Sequence, residues 1–310
     1  MKFDKEKLKE KTNNIIDKTK NITASAKEKT IKITKTATKN IDISKDKIIK
    51  AMDQNGDGEL TIEDVIIAGL KFPGIKINRN EFLKKEFITH YPEDTVNIIV
   101  NKNPAAANIP IEEIDKKAED VIQYERLRVS GISTVLSVPG GVAMVATLPT
   151  DIAQYYGYML RAAQKLLYLY GFPQINIEDE QLLDSATMNT IIVCMGVMYG
   201  VAGANTALKT MAKALGKGVE KKLLNTALTK GTIYPIVKAT AKWFNVRMTK
   251  EIFAGFFKKS IPVVGGVIGG GITYATFKPC CERLKAELRE TRLANPNIDD
   301  NNIEEIIDEK

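Results

Sequence analysis

Histidine is almost absent from this 310-residue chain, His90 being the only one. Its scarcity argues against most catalytic triads and against histidine-based metal sites. Cysteine is scarce too: Cys194, Cys280 and Cys281 are too few for a disulfide framework, and two of them are adjacent. The expected compartment is therefore a reducing one, most simply the cytoplasm. The opening MKFDKEKLKEK lacks the apolar stretch of a secretory signal. Strand-like alternation is missing over any useful length, and helical periodicity dominates, so an all-α fold is expected. What the chain does have is 44% hydrophobic residues, enough to bury a sizeable core in one or two domains.

Charge is unevenly placed. Residues 1–50 hold 15 lysines against seven acidic residues, a local net of +8, and the remaining 260 carry a net of −1. The basicity belongs to an N-terminal arm, and the stretch Asp299 to Lys310 is acidic. This asymmetry points to an anionic partner for the arm, or to the chain's own tail. Arginine is missing from the arm, and Phe3 is its only aromatic. Bidentate base contacts and stacking are then unavailable, which excludes nucleic acid as the natural partner.

Within the arm, small apolar or threonine residues recur in steps of four, three and four. Equivalent positions fall eleven residues apart, at Ile15, Ala26, Ala37 and Ile48. Eleven residues over three turns is close to the natural helical repeat, so the stripe runs nearly straight. Lysines including Lys18, Lys27, Lys29 and Lys35 flank it. Threonine, asparagine and isoleucine are mediocre helix formers, so the isolated helix should be marginal in water. A narrow apolar face with lysine flanks suits an anionic lipid surface. Packing on the body, or a solvated arm, are the plainer readings of the same pattern.

Next comes Asp53-Gln-Asn55-Gly-Asp57-Gly58-Glu59-Leu60-Thr61-Ile62-Glu63-Asp64, which resembles an EF-hand loop along its full length. Ca²⁺ prefers six to eight hard oxygens, and alternate loop positions supply them. Asp53, Asn55 and Asp57 offer side-chain oxygens, Glu59 its carbonyl, and Thr61 its hydroxyl or a water. Gly58 stands sixth, where the turn requires positive φ, and Leu60 should pack inward. Asp64 stands twelfth in place of the usual bidentate Glu. One methylene shorter, it favours single-oxygen ligation, so Mg²⁺ becomes a competitor and Ca²⁺ affinity should fall to roughly 10⁻⁵–10⁻³ M. No second ligand series follows. Asn78 instead reads as an N-cap with Glu81 three residues on. The loop is thus single, either structural or paired between two molecules.

Helical patterns continue through the body. One helix begins near Pro110 with Ile111, Ile114, Ala118, Val121 and Ile122 on one face. Another is expected from Thr150–Asp151 to Gly171 and Pro173. Further helices are expected over about 178–214, 218–230, 233–246 and 249–258, followed by a Gly-rich one from about 262 into 292. The stretches Val129–Thr150, Ser185–Leu208 and Ser260–Phe277 carry no charge. Each is interrupted or diluted by Pro, Gly or Asn, which favours a buried core over membrane insertion. The last holds paired G-x-x-x-G spacings, which suit close-packed helices.

Val138-Pro139-Gly140-Gly141, Leu148-Pro149-Thr150-Asp151, Leu167-Tyr168-Leu169-Tyr170-Gly171-Phe172 and the Gly-rich segment 261–277 together resemble the EcsC family over about residues 79–290. The resemblance implies a bacterial, mostly helical domain with a membrane connection, and no particular reaction. It does not account for the arm or the metal loop.

Catalytic candidates are few. Asp151, Gln154, Tyr158, Arg161 and Lys165 would share a polar stripe. It reads either as a groove or buried ion-pair site, or as a solvated face with Asp151 serving the helix dipole, the second being favoured. Gly140–Gly141 lacks the context of a phosphate loop. Cys280–Cys281 could hold a soft metal but fits helix packing better. His90-Tyr91-Pro92 reads as a helix end, and Trp243 as a core or interface anchor.

The expected architecture is an arm over 1–48, an EF-hand over 49–75, an all-α helical domain over 76–293 and an acidic tail over 294–310. The expected function is non-enzymatic: a Ca²⁺-binding protein, peripheral at the inner face of the cell membrane, with Asp53, Asn55, Asp57, Glu59 and Asp64 as metal residues. An enzyme of unknown reaction with a structural calcium loop, and a soluble scaffold for a protein partner or a second copy, are the alternatives.

Overall fold

A computed structural model describes residues 49–136, 142–177, 183–216, 221–259 and 265–297. The arm with its eleven-residue period, the Pro139-Gly140-Gly141 element and the acidic tail from residue 298 lie outside these. Ala51–Lys310 form one compact unit and Met1–Lys50 another. Among the described residues the fold is all-α, with no strand.

From within the Asp53–Asp64 segment onward, α1 spans Ile62–Leu70 and α2 spans Arg79–Phe87. α3 spans Glu93–Asn101, and a 3-10 turn occupies Ala105–Ala107. The long helices α4 (Ile111–Leu136) and α5 (Val142–Leu169) follow. Then come α6 (Ser185–Tyr199), α7 (Ala204–Gly216), α8 (Lys221–Thr229), α9 (Tyr234–Lys259) and α10 (Gly265–Arg289).

Local chemistry sets several of these boundaries. Asn78 caps α2, its side chain accepting from the Glu81 N–H at 3.0 Å. The Asp184 carboxylate caps α6 through the Thr187 N–H at 2.7 Å. Such caps satisfy first-turn donors that the helix itself leaves open. At the far end of α5, Gly171 adopts φ +96° and the Phe172 N–H reaches back to the Leu167 carbonyl at 2.9 Å. That is the glycine stop expected there.

Four expectations are corrected. The helix ending at Gly171 begins at Val142, not Thr150, so Asp151 lies well inside it and is no N-terminal charge. The expected helix over 178–214 is two helices, because the chain turns at Gly200 (φ +70°) and Gly203 (φ +84°). Conversely, the expected helices 233–246 and 249–258 are one, Tyr234–Lys259. The polar stripe of α5 is not solvated: Gln154, Tyr158 and Lys165 are buried.

Antiparallel pairing of α4 with both α5 and α10 organises the bundle. On one side, Asp115 accepts from the Tyr170 hydroxyl at 2.6 Å, and Glu125 meets Arg161 at 2.9 Å and Lys165 at 2.6 Å. On the other, Arg289 meets Asp115 at 2.6 Å, Glu119 takes Lys285 at 3.1 Å as well as Lys278, and the Arg126 guanidinium lies 3.3 Å from the centre of the Tyr274 ring. Residue numbers rise along α4 as they fall along its two neighbours. α6 packs against α7, α9 and α10. Its uncharged run is core: Ile192, Val193, Cys194, Met195 and Met198 are all buried. Cys280 and Cys281 are buried too, and loss of water pushes both thiols above their ordinary range, Cys280 to about 11, as packing residues would be. Among the described residues no helix is long and apolar enough to cross a membrane.

Candidate metal loop

The loop runs from a helical stretch over 49–52 into α1. Met52 at its entrance and Leu60 and Ile62 near its exit are buried, so apolar anchors bracket an exposed polar turn. Gly58 takes φ +79° and Gly56 φ +76°, conformations that side chains with a Cβ adopt only with strain. The inward Leu60 and the left-handed Gly58 stand where the residue pattern places them.

Hydrogen bonds within the loop fix the acidic side chains. The Asp53 carboxylate accepts from the Gly56 N–H at 2.7 Å and from the Gly58 N–H at 2.9 Å. Chiefly the Gly58 N–H holds its carboxyl below the ordinary value; burial opposes this, and Gly56, Asn55 and Asp57 each add a smaller lowering. Asp57 accepts from the Glu59 N–H and from the Asn55 amide, both at 2.8 Å, while Asn55 Oδ1 takes the Asp57 N–H at 3.0 Å. Asp53, Asn55 and Asp57 are thus gathered on one turn, whereas Glu59 is exposed and only its N–H is engaged there.

Asp64 differs from these in being buried. Its Oδ1 accepts from the Gln54 N–H at 2.9 Å, tying the twelfth loop position to the second. Its Oδ2 accepts from the Thr61 N–H at 2.9 Å and the Thr61 hydroxyl at 2.6 Å, and the Thr61 hydroxyl in turn takes the Asp64 N–H at 3.3 Å. This reciprocal arrangement is a capping box that starts α1.

Two contacts that the local pattern could not reveal hold the exit side. The Ile62 N–H donates to Asn245 Oδ1 of α9 at 2.9 Å, across 183 residues of sequence. Gly69 of α1 lies against Gly157 of α5 so closely that a Cβ on Gly157 would stand 2.8 Å from the Gly69 carbonyl oxygen. Beyond α1, Gln164 of α5 accepts from the Ile77 N–H at 3.0 Å and donates to the Ile75 carbonyl at 3.1 Å, and Arg161 donates to the Gly74 carbonyl.

The donor set suits a hard cation: oxygens from Asp53, Asn55, Asp57, the Glu59 carbonyl and Asp64, with neither sulfur nor imidazole in the loop. Among the described residues no three His, Cys, Asp or Glu side chains converge into a ready cage. The carboxylates are instead spread over N–H donors of the loop. The residues fit the ion, and each carboxylate oxygen bonded to one N–H retains a second lone pair for it.

The stripe of α5 belongs elsewhere. Glu125 is fully buried between Arg161 and Lys165, which makes this the buried ion-pair arrangement. The Asp151 side chain lies outside the described residues. A cleft of about 310 Å³ lined by Phe172, Ile175, Thr187, Met211, Asn225 and Leu228 was not legible in the sequence, since its walls come from four separate segments. Compared with family models, curated proteins and solved structures, the chain matches none.

Proposed function

We propose that this chain is a Ca²⁺-binding, peripheral membrane protein in which the metal orders the stretch leading from the basic arm into the helical body. The observation that carries the reading is the loop's division of labour. Its first half is exposed over Asn55 to Gly58 and is held by hydrogen bonds within the loop and one from Lys71 to Gln54, and its second half is fastened to the body through Leu60, Ile62 and Asn245. Closing oxygens around a cation therefore draws the free half toward the fixed half. The helix that Asp53 terminates moves with it. The arm's lysines supply attraction to anionic headgroups, at about 1 kcal/mol for each one near the surface. The EcsC likeness of residues 79–290, on its motifs alone, supports a reading at the inner face of a bacterial cell membrane.

Co-sedimentation of the full chain with phosphatidylglycerol-containing vesicles, in Ca²⁺ and in chelator, tests the whole proposal. Lipid binding should change with Ca²⁺, and Asp53→Ala with Asp57→Ala should abolish both that change and any Ca²⁺-induced gain in helicity. A double variant that keeps the Ca²⁺ response removes the loop from the function, and absence of lipid binding in either condition removes the membrane.

A further inference from the structure

α9 joins the metal loop to the rest of the body, packing against α6, α7 and α8 as well as α1. Val237, Thr240 and Phe244 are buried on its inner face. Thr240 is set so close to Gly196 of α6 that a Cβ on Gly196 would stand 2.7 Å from its methyl carbon. One turn further, the Phe244 and Trp243 rings lie 5.2 Å and 6.3 Å from the Tyr199 ring at the end of α6. Asn245 follows Phe244 by one residue, about 100° around the helix, and so stands at the edge of this anchored face. There its Oδ1 accepts the Ile62 N–H at 2.9 Å.

Ile62 is the first residue of α1, and a first-turn N–H has no partner within its own helix. The Thr61 hydroxyl serves the Asp64 N–H, and Asn245 serves the Ile62 N–H. These two acceptors differ in origin. Thr61 belongs to the loop and moves with it, whereas Asn245 belongs to a helix already seated on α6. Three of the loop's ligand positions, the Glu59 carbonyl, Thr61 and Asp64, lie within three residues of Ile62. The close approach of Gly69 to Gly157 comes seven residues beyond it, about 10 Å along α1. Ile62 is fully buried, so no water replaces the acceptor if Asn245 is taken away.

We infer that Asn245 is a positioning residue of the metal site, an acceptor supplied by α9 that holds the exit ligands where a hard divalent cation meets them. The inference rests on the loop binding Ca²⁺, and it adds a distant helix of the body to a site whose ligands all lie within twelve consecutive residues. Ligands fixed before the ion arrives need less ordering when it binds. One hydrogen bond of this kind corresponds to about a threefold to tenfold change in affinity. Coupling of this sort is reciprocal. Bound Ca²⁺ therefore holds α9 to the loop as firmly as Asn245 favours the ion.

Calorimetric titration of the full-length chain with Ca²⁺, well below its melting transition, tests this with two variants. Asn245→Leu keeps most of the side chain's bulk and removes the acceptor, and Asn245→Asp keeps the acceptor. The leucine variant should bind Ca²⁺ about threefold to tenfold more weakly, and the aspartate variant at least as tightly as the native chain. An unchanged Kd in the leucine variant, even at a lowered melting temperature, makes Asn245 a structural contact only and overturns the inference. Equal weakening in both variants traces the loss to disturbed packing and overturns it too. Hydrogen–deuterium exchange on the native chain needs no variant to fold. Ca²⁺ should slow peptides covering 53–61 and, by about threefold or more, those covering 237–246. Protection confined to the loop leaves Ca²⁺ binding in place and overturns the role of Asn245. Neither heat nor protection anywhere would remove the metal reading itself, and this inference with it.

Discussion

Asp64 serves two structures at once. It is the twelfth loop residue, where a cation expects a carboxylate, and the third residue of α1, where the capping box expects one. Both oxygens are already engaged, one by Gln54 and one by Thr61, so ligation competes with the start of the helix. A glutamate would relieve that competition. Its longer side chain reaches the ion with two oxygens, and glutamate is itself a favoured third residue of a capping box. Asp64→Glu should therefore tighten Ca²⁺ binding about tenfold or more while leaving thermal stability nearly unchanged. Isothermal calorimetry reads the first effect and a melting curve the second; unchanged affinity would mean that the twelfth position does not ligate.

At the scale of elements, the fixed exit side of the loop depends on α5, and α5 depends on Glu125. That carboxylate is fully buried and is the counterion of both Arg161 and Lys165, whose side chains are largely buried themselves. Removing it leaves two poorly solvated cations facing each other. Glu125→Leu should cost about 3–5 kcal/mol, read as a lowered urea midpoint. Adding Arg161→Met and Lys165→Met should return most of the loss, because apolar groups of similar length then fill the same space. A single variant with the wild-type midpoint would mean that the ion cluster contributes nothing to the α4–α5 seam. This seam also shows where sequence stops being informative. The turn at Gly58 and the inward Leu60 were legible because the pattern that predicts them falls within twelve consecutive residues. The stripe Gln154, Arg161, Lys165 repeats at helical spacing whether it faces water or a buried acid on another helix, and Glu125 stands 36 residues before Arg161 with no local sign of the pairing. Asn245 was invisible for the same reason, and the break at Gly200–Gly203 was hidden inside an uncharged run that reads equally well as one helix.

For the whole molecule, the proposed membrane contact is electrostatic in kind, and salt tests it. The arm carries a net +8 with a narrow stripe of small residues, so its hold on lipid is largely Coulombic. The Debye length shrinks from about 10 Å at 0.1 M salt to about 3 Å at 1 M, which removes most of that attraction. Vesicle binding measured against ionic strength should therefore fall steeply. Replacing Lys18, Lys27, Lys29 and Lys35 by glutamine should flatten that decline, and binding indifferent to salt would take the attachment away from the arm's charges. Ca²⁺ bears on lipid only if it orders the chain that leads out of the arm, so chelator should shift the decline, and a salt dependence identical in Ca²⁺ and in chelator would separate the metal loop from the membrane.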